Sequence, residues 1–167
     1  MNPLWDYFWP SLTAGMVVGI VAGAYGFRRR RSRRNIAPAL GIIASIALAG
    51  LWHGPMGAAD RFSAAVEREA QNALVYYEIT QVSAHLHHGP LTRRVMLSGP
   101  ADDFQREELA RHMGEVPGIA SATWSNGGGG VPLIVEGAAV AVLGFLLGLL
   151  VAYLVELRRR YNAQWNW

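Results

Sequence analysis

The chain has no cysteine and no lysine among its 167 residues. Without cysteine there is no disulfide to staple a small domain, no thiolate nucleophile and no thiolate metal ligand. All fifteen basic residues are arginine. Charge is scarce over long stretches, and Asp6 is the only charged side chain before Arg28. The gaps are apolar: 51% of the chain is hydrophobic, gathered into runs over residues 8–27, 36–52 and 131–157. A membrane-crossing helix takes about 20 residues, within about 17–25. The first and third runs are long enough, and the second is marginal.

Nine of the fifteen arginines sit at the ends of these runs. Arg28, Arg29, Arg30, Arg31, Arg33 and Arg34 lie between the first two, and Arg158, Arg159 and Arg160 follow the third. Positive residues beside a span stay on the cytoplasmic side. A secretory signal carries its positive charge before the apolar region. Here the charge follows, so the first run reads as an uncleaved span with an outside N-terminus. The expected location is a bacterial inner membrane, with the N-terminus and central segment periplasmic and the C-terminus cytoplasmic. The arginines would meet anionic lipid headgroups, at about 1 kcal/mol each. That accounts for the basic charge balance and argues against nucleic acid as a partner. Trp5, Tyr7, Phe8, Trp9 and Trp52 would form an outer aromatic belt, and Tyr25, Phe27, Tyr161, Trp165 and Trp167 an inner one.

The runs carry small residues at helical spacing: Gly15, Gly19 and Gly23; then Ala37, Gly41, Ser45 and Ala49; then Gly137, Ala141, Gly144 and Gly148. Such rows let helix backbones approach closely in lipid. They serve either to pack the three spans on one another or to dock on another protein. Glu136, Glu156 and His53 lie at span edges, where pairing or snorkelling is cheap, so no transport path is implied.

The expected organisation is two transmembrane helices in 1–54 (about 8–27 and 36–53), a periplasmic α+β domain in 55–126, a glycine tether in 127–131, a third transmembrane helix in 132–157 and a tail in 158–167. In the domain, residues 59–75 repeat apolar positions at helical period, with Phe62, Val66, Ala70 and Ala73/Leu74 inward. Residues 77–86 alternate as a strand, His88-Gly89-Pro90 turns the chain, and 91–98 resumes a strand with Val95 and Leu97 on one face. Asp102-Asp103 caps a second helix with Phe104, Leu109, Ala110 and Met113 buried. Pro117-Gly118 breaks the chain before a third strand over 119–125. The order is helix–strand–strand–helix–strand.

The segment Arg94-Val95-Met96-Leu97-Ser98-Gly99-Pro100-Ala101-Asp102-Asp103, with Arg106-Glu107 and Val116-Pro117-Gly118-Ile119, resembles the BON (bacterial OsmY and nodulation) domain family. The resemblance covers residues 60–126. It implies an envelope-associated module for interaction or phospholipid binding, without catalytic activity. Unlike the common pattern, a single copy sits between apolar runs. Gly99 and Gly118 fall at chain reversals, where a side chain would clash.

Catalytic chemistry finds little support. His85 and His87 share a strand face and are the weak candidates for metal ligands, with His88 and His112 nearby. No cysteine or suitably spaced acid completes a site, so an exposed hairpin tip is the plainer reading. Histidine charge also changes near neutral pH, which allows a pH-sensitive contact. Glu67/Glu69 and Glu107/Glu108 diverge around their helices and read as solvated faces. No serine lies in a nucleophile elbow, and Gly127–Gly130 lacks the lysine of a phosphate loop. No enzyme activity and no cofactor are expected.

The expected function is a non-catalytic accessory, assembly or stabilising subunit of a larger inner-membrane complex. Its partners would be other membrane protein subunits and anionic lipids, with a homo-oligomer also open. The alternative is an envelope-maintenance protein that binds phospholipid headgroups through Arg93, Arg94 and Arg106.

Overall fold

A computed structural model describes residues 2–28, 36–124 and 129–164 of the chain. These residues form α1 (Pro3–Arg28), α2 (Ile36–His53), α3 (Ala58–Tyr76), β1 (Ser83–His88), β2 (Leu91–Ser98), α4 (Asp103–Met113), β3 (Ser121–Thr123) and α5 (Leu133–Gln164). Three helices are long and apolar enough to cross a membrane, over Pro3–Phe27, Ile36–His53 and Leu133–Ala163. α1 begins ahead of the apolar run because the chain supplies a helix start. The Asn2 carboxamide oxygen accepts the Leu4 N–H at 3.0 Å, and Pro3 takes a first-turn position that needs no N–H.

The chain divides into two compact units, Met1–Tyr7 with Gly57–Glu136, and Phe8–Met56 with Gly137–Trp167. The first unit has the expected order helix–strand–strand–helix–strand. β2 is central. It pairs antiparallel with β1, from Ser83↔Ser98 to His88↔Leu91 with an irregularity between Leu86 and His88. It pairs parallel with β3, from Arg94↔Ser121 to Met96↔Thr123. The parallel pair needs a crossover, and α4 supplies it. α3 lays Phe62, Val66, Ala70 and Leu74 into the core, where Ala84, Leu86, Val95, Leu97, Leu109 and Met113 are also buried. Burying a side chain of this size stabilises by roughly 1.5–3 kcal/mol.

Local chemistry sets the boundaries. Asp102 and Gln105 form a reciprocal capping box, with Gln105 N–H donating to Asp102 at 2.7 Å and Asp102 N–H to Gln105 at 3.2 Å. Gly118 has φ +102°, and a Cβ there would run into the Val66 side chain. Gly99 has φ +137°, and a Cβ would strike the Gln81 carbonyl.

Three expectations are corrected. Residues 77–82 are not strand, because α3 runs on to Tyr76. It closes with Glu78 N–H on the Val75 carbonyl and Ile79 N–H on the Leu74 carbonyl, Glu78 standing at φ 60° where glycine is usual. The third strand is only Ser121–Thr123 among the described residues. Ile119 is buried ahead of it, while Ser125 lies outside the described residues. Phe104, expected in the core, is 74% exposed. α4 turns Leu109 and Met113 inward, and Phe104 begins a row beside them.

The first unit also recruits residues from outside the expected domain. Tyr7 of α1 is 3% exposed. Its ring lies 5.6 Å from that of Phe62, and its hydroxyl donates to the Leu133 carbonyl at 3.4 Å. Leu133 is fully buried. Tyr7 therefore belongs to this core, and the expected outer aromatic belt loses it. The expected tether is held at its C-terminal end, where Pro132 bridges to Thr92 and Gly130 backs onto the Thr92 side chain. Gly127 and Gly128 lie outside the described residues.

The second unit comprises the apolar helices. Its small residues face inward: Gly41, Ser45, Ala49, Ala141 and Ala152 are buried. Many of its large ones, including Val17, Val21, Leu40, Ile43, Leu143 and Leu150, point out, while Phe145 is buried. This arrangement suits lipid, where close backbone approach stabilises helix pairs and apolar side chains face the solvent.

Candidate functional site

The glycine rows meet one another inside the second unit. A Cβ added to Gly15 would collide with the Ala141 carbonyl of α5, and one at Gly19 with the Phe145 carbonyl. In return, a Cβ at Gly144 would strike the Leu12 carbonyl of α1, and one at Gly148 the Met16 carbonyl. Gly23 faces the Ala152 methyl, at 2.6 Å from an added Cβ. Gly137 is buried. The α2 row joins the same packing, because the fully buried Phe145 ring fills the notch at Gly41 beside Ala22. The Ser45 hydroxyl donates to the Gly41 carbonyl at 2.8 Å, so this buried polar group is satisfied within its own helix. The three rows thus pack against one another within the chain.

The arginine clusters are described only in part. Arg29, Arg30, Arg31, Arg33 and Arg34 lie outside the described residues, and Arg28 ends α1. Arg158, Arg159 and Arg160 are exposed in the last turns of α5. Glu156 pairs with Arg159 at 3.8 Å and with Arg160 at 3.0 Å. Trp165 and Trp167 lie outside the described residues. Phe27 packs edge-on against Tyr153, 6.0 Å away.

The histidines do not converge on a common point. His85 is exposed, His87 Nδ1 lies 3.1 Å from the Pro90 carbonyl, and His88 Nε2 lies 3.0 Å from Glu67. Among the described residues, no group of three or more His, Asp or Glu is placed to hold a metal ion.

The basic residues considered for lipid headgroups are engaged in the first unit. Arg93 Nε lies 2.9 Å from a Glu136 carboxylate oxygen. Arg106 sits over the Trp124 ring at 5.6 Å and 4.0 Å from Asp103, while the Trp124 indole N–H donates to the Arg106 carbonyl at 2.9 Å. The Arg94 guanidinium lies beside Gly129.

Two features escaped the sequence. Glu67 is a structural acceptor: its Oε1 takes the Leu86 N–H at 2.8 Å as well as facing His88. The alternation of β1 could not show this, because the contact depends on how α3 lies along the sheet edge. The second is a run of rings on the surface. Tyr76 and Tyr77 meet at 5.5 Å, and Tyr77 stacks on His112 at 5.3 Å. The adjacent Tyr76-Tyr77 pair was the available signal, but the helical period reads only to residue 75 and the alternation only from 77, so the pair falls across the boundary. Comparison of the chain with known protein families, with curated proteins and with solved structures finds no match.

Proposed function

We propose that this chain is a three-span protein of a bacterial inner membrane that displays a BON-like domain in the periplasm and acts as a non-catalytic accessory subunit of a larger membrane complex. The observation that carries the reading is the α3–β1–β2–α4–β3 unit inserted between helices apolar enough to span. Gly99 and Gly118, the glycines of the BON-like segments, stand at positive φ with no room for a side chain, which supports the reading. The arginine clusters support the orientation, since they flank the opposite ends of the apolar helices from the domain in sequence. With the glycine rows packed against one another, docking falls to the domain. Headgroup binding is the weaker reading, because Arg93 and Arg106 already have acidic or aromatic partners.

Extraction in a mild detergent followed by mass spectrometry tests the proposal. A membrane protein present in fixed stoichiometry is expected. If the chain purifies alone and binds phosphatidylglycerol vesicles through its domain, the headgroup reading replaces this one.

A further inference from the structure

We propose that the row Phe104–Glu108–His112 on α4, continued by Tyr77 and Tyr76 at the end of α3, is a docking strip for a cationic segment of a partner protein. The inference deepens the accessory-subunit reading and rests on it.

The strip starts from two misplaced aromatics. Phe104 is 74% and Tyr76 83% exposed, although the same helices bury Leu109, Met113 and Leu74. Neither ring is spent on the core, and aromatic residues are middling helix formers that bring no local advantage at such positions. Aromatic side chains are instead the usual anchors of protein interfaces.

Tyr76, Tyr77 and His112 form a continuous run of rings, and Phe104 stands about two turns away on the same face of α4 as His112. Residues 104, 108 and 112 are four apart and share one face of α4, covering about 12 Å along the axis. The His112 ring then stacks on Tyr77, and Tyr77 meets Tyr76 edge-on. Tyr76 lies fourteen residues along α3 from Phe62, about 21 Å, so the strip is remote from the core contact that Tyr7 makes with Phe62.

Charge selects the occupant. Glu78 follows Tyr77, Asp103 precedes Phe104, and Glu107 is exposed on the next position around α4. Glu108 lies 3.5 Å from His112 Nε2, and Glu115 3.9 Å from its Nδ1. The arginines on this helix are engaged with acids of the same strip, Arg111 with Glu108 and Arg106 with Asp103 and Trp124, so the negative surplus rests on Glu78, Glu107 and Glu115. An aromatic face rimmed by carboxylates attracts guanidinium and ammonium groups, through the ring face within about 6 Å and through charge-assisted hydrogen bonds. The domain uses the same pairing internally where Arg106 covers Trp124. The acids repel an anionic lipid surface.

Full-length protein in nanodiscs is titrated against a fluorescent eight-residue peptide containing four arginines, with fluorescence anisotropy as the readout. A four-glutamate peptide and phosphatidylglycerol vesicles are run in parallel. The wild type is expected to bind the arginine peptide alone. Phe104→Ser with Tyr76→Ser should weaken binding at least tenfold, and Glu115→Gln several-fold. Asp60→Asn removes an equal charge in the first turn of α3 and should leave affinity within twofold. Both aromatics are exposed, so circular dichroism should show an unchanged fold. Failure of the aromatic pair to weaken binding tenfold, an equal loss with Asp60→Asn, or preference for the vesicles overturns the strip. Co-purification of a partner that survives the aromatic substitutions would leave the accessory-subunit reading standing and place its contact elsewhere.

Discussion

One carboxylate guards the free edge of the sheet. β1 is an edge strand, and its Leu86 N–H would otherwise face outward as a template for another chain. Glu67 accepts it at 2.8 Å and holds His88 at 3.0 Å with the same oxygen. Glu67→Ala should leave that amide unpartnered, at a cost of about 1–3 kcal/mol. Glu67→Gln keeps an acceptor and should lose less. Denaturant unfolding of the purified chain separates them, and equal losses would mean that the contact contributes nothing specific. Sequence could not have distinguished Glu67 from Glu69. Two positions apart on a helix point to different sides, and only the packing of α3 on β1 chooses one. Asp102 was legible for the opposite reason, because a cap depends on residues three apart in the same short segment.

At the scale of elements, the glycine rows make the clearest prediction. Gly19→Leu and Gly144→Leu push a side chain into backbone carbonyls of the facing helix. Overpacking of this kind costs typically 1–3 kcal/mol and more where backbone must move. Gly50→Leu meets nothing within 4 Å and should stay within about 0.5 kcal/mol. Thermal unfolding in detergent is the check, and three similar melting temperatures would refute the α1–α5 contact. The rows themselves were readable, since small residues every four positions make one stripe. Their partner was not, because a stripe is equally suited to a helix of the same chain or of another. The same limit explains α3 and Phe104. Tyr76-Tyr77 suits a strand by composition, but the hydrogen bonds that close α3 carry the helix through Tyr76. Phe104 falls near the inward positions by period, and the sheet covers the neighbouring row instead.

For the whole molecule, the absence of cysteine makes orientation directly measurable. Single substitutions Glu115→Cys and Arg158→Cys each give one thiol at an exposed position. A membrane-impermeant maleimide applied to cells with a permeabilised outer membrane is expected to label the first, and to label the second only after lysis. The reverse pattern would turn the molecule over and end the periplasmic reading.

Sequence by itself determined the number of apolar helices, the order of the small α+β unit and the places where glycine and capping acids are needed. Those features are written in local period, charge and turn chemistry, which act between residues close along the chain. Tertiary structure decided where each surface goes. It drew Tyr7 and Leu133 into the core of the first unit, closed the glycine rows on one another, engaged Arg93 with Glu136 and left Phe104 and Tyr76 in the open. The reason is physical: whether a residue on a helix face is buried depends on what a distant segment brings to it, and neither spacing nor composition encodes that arrival.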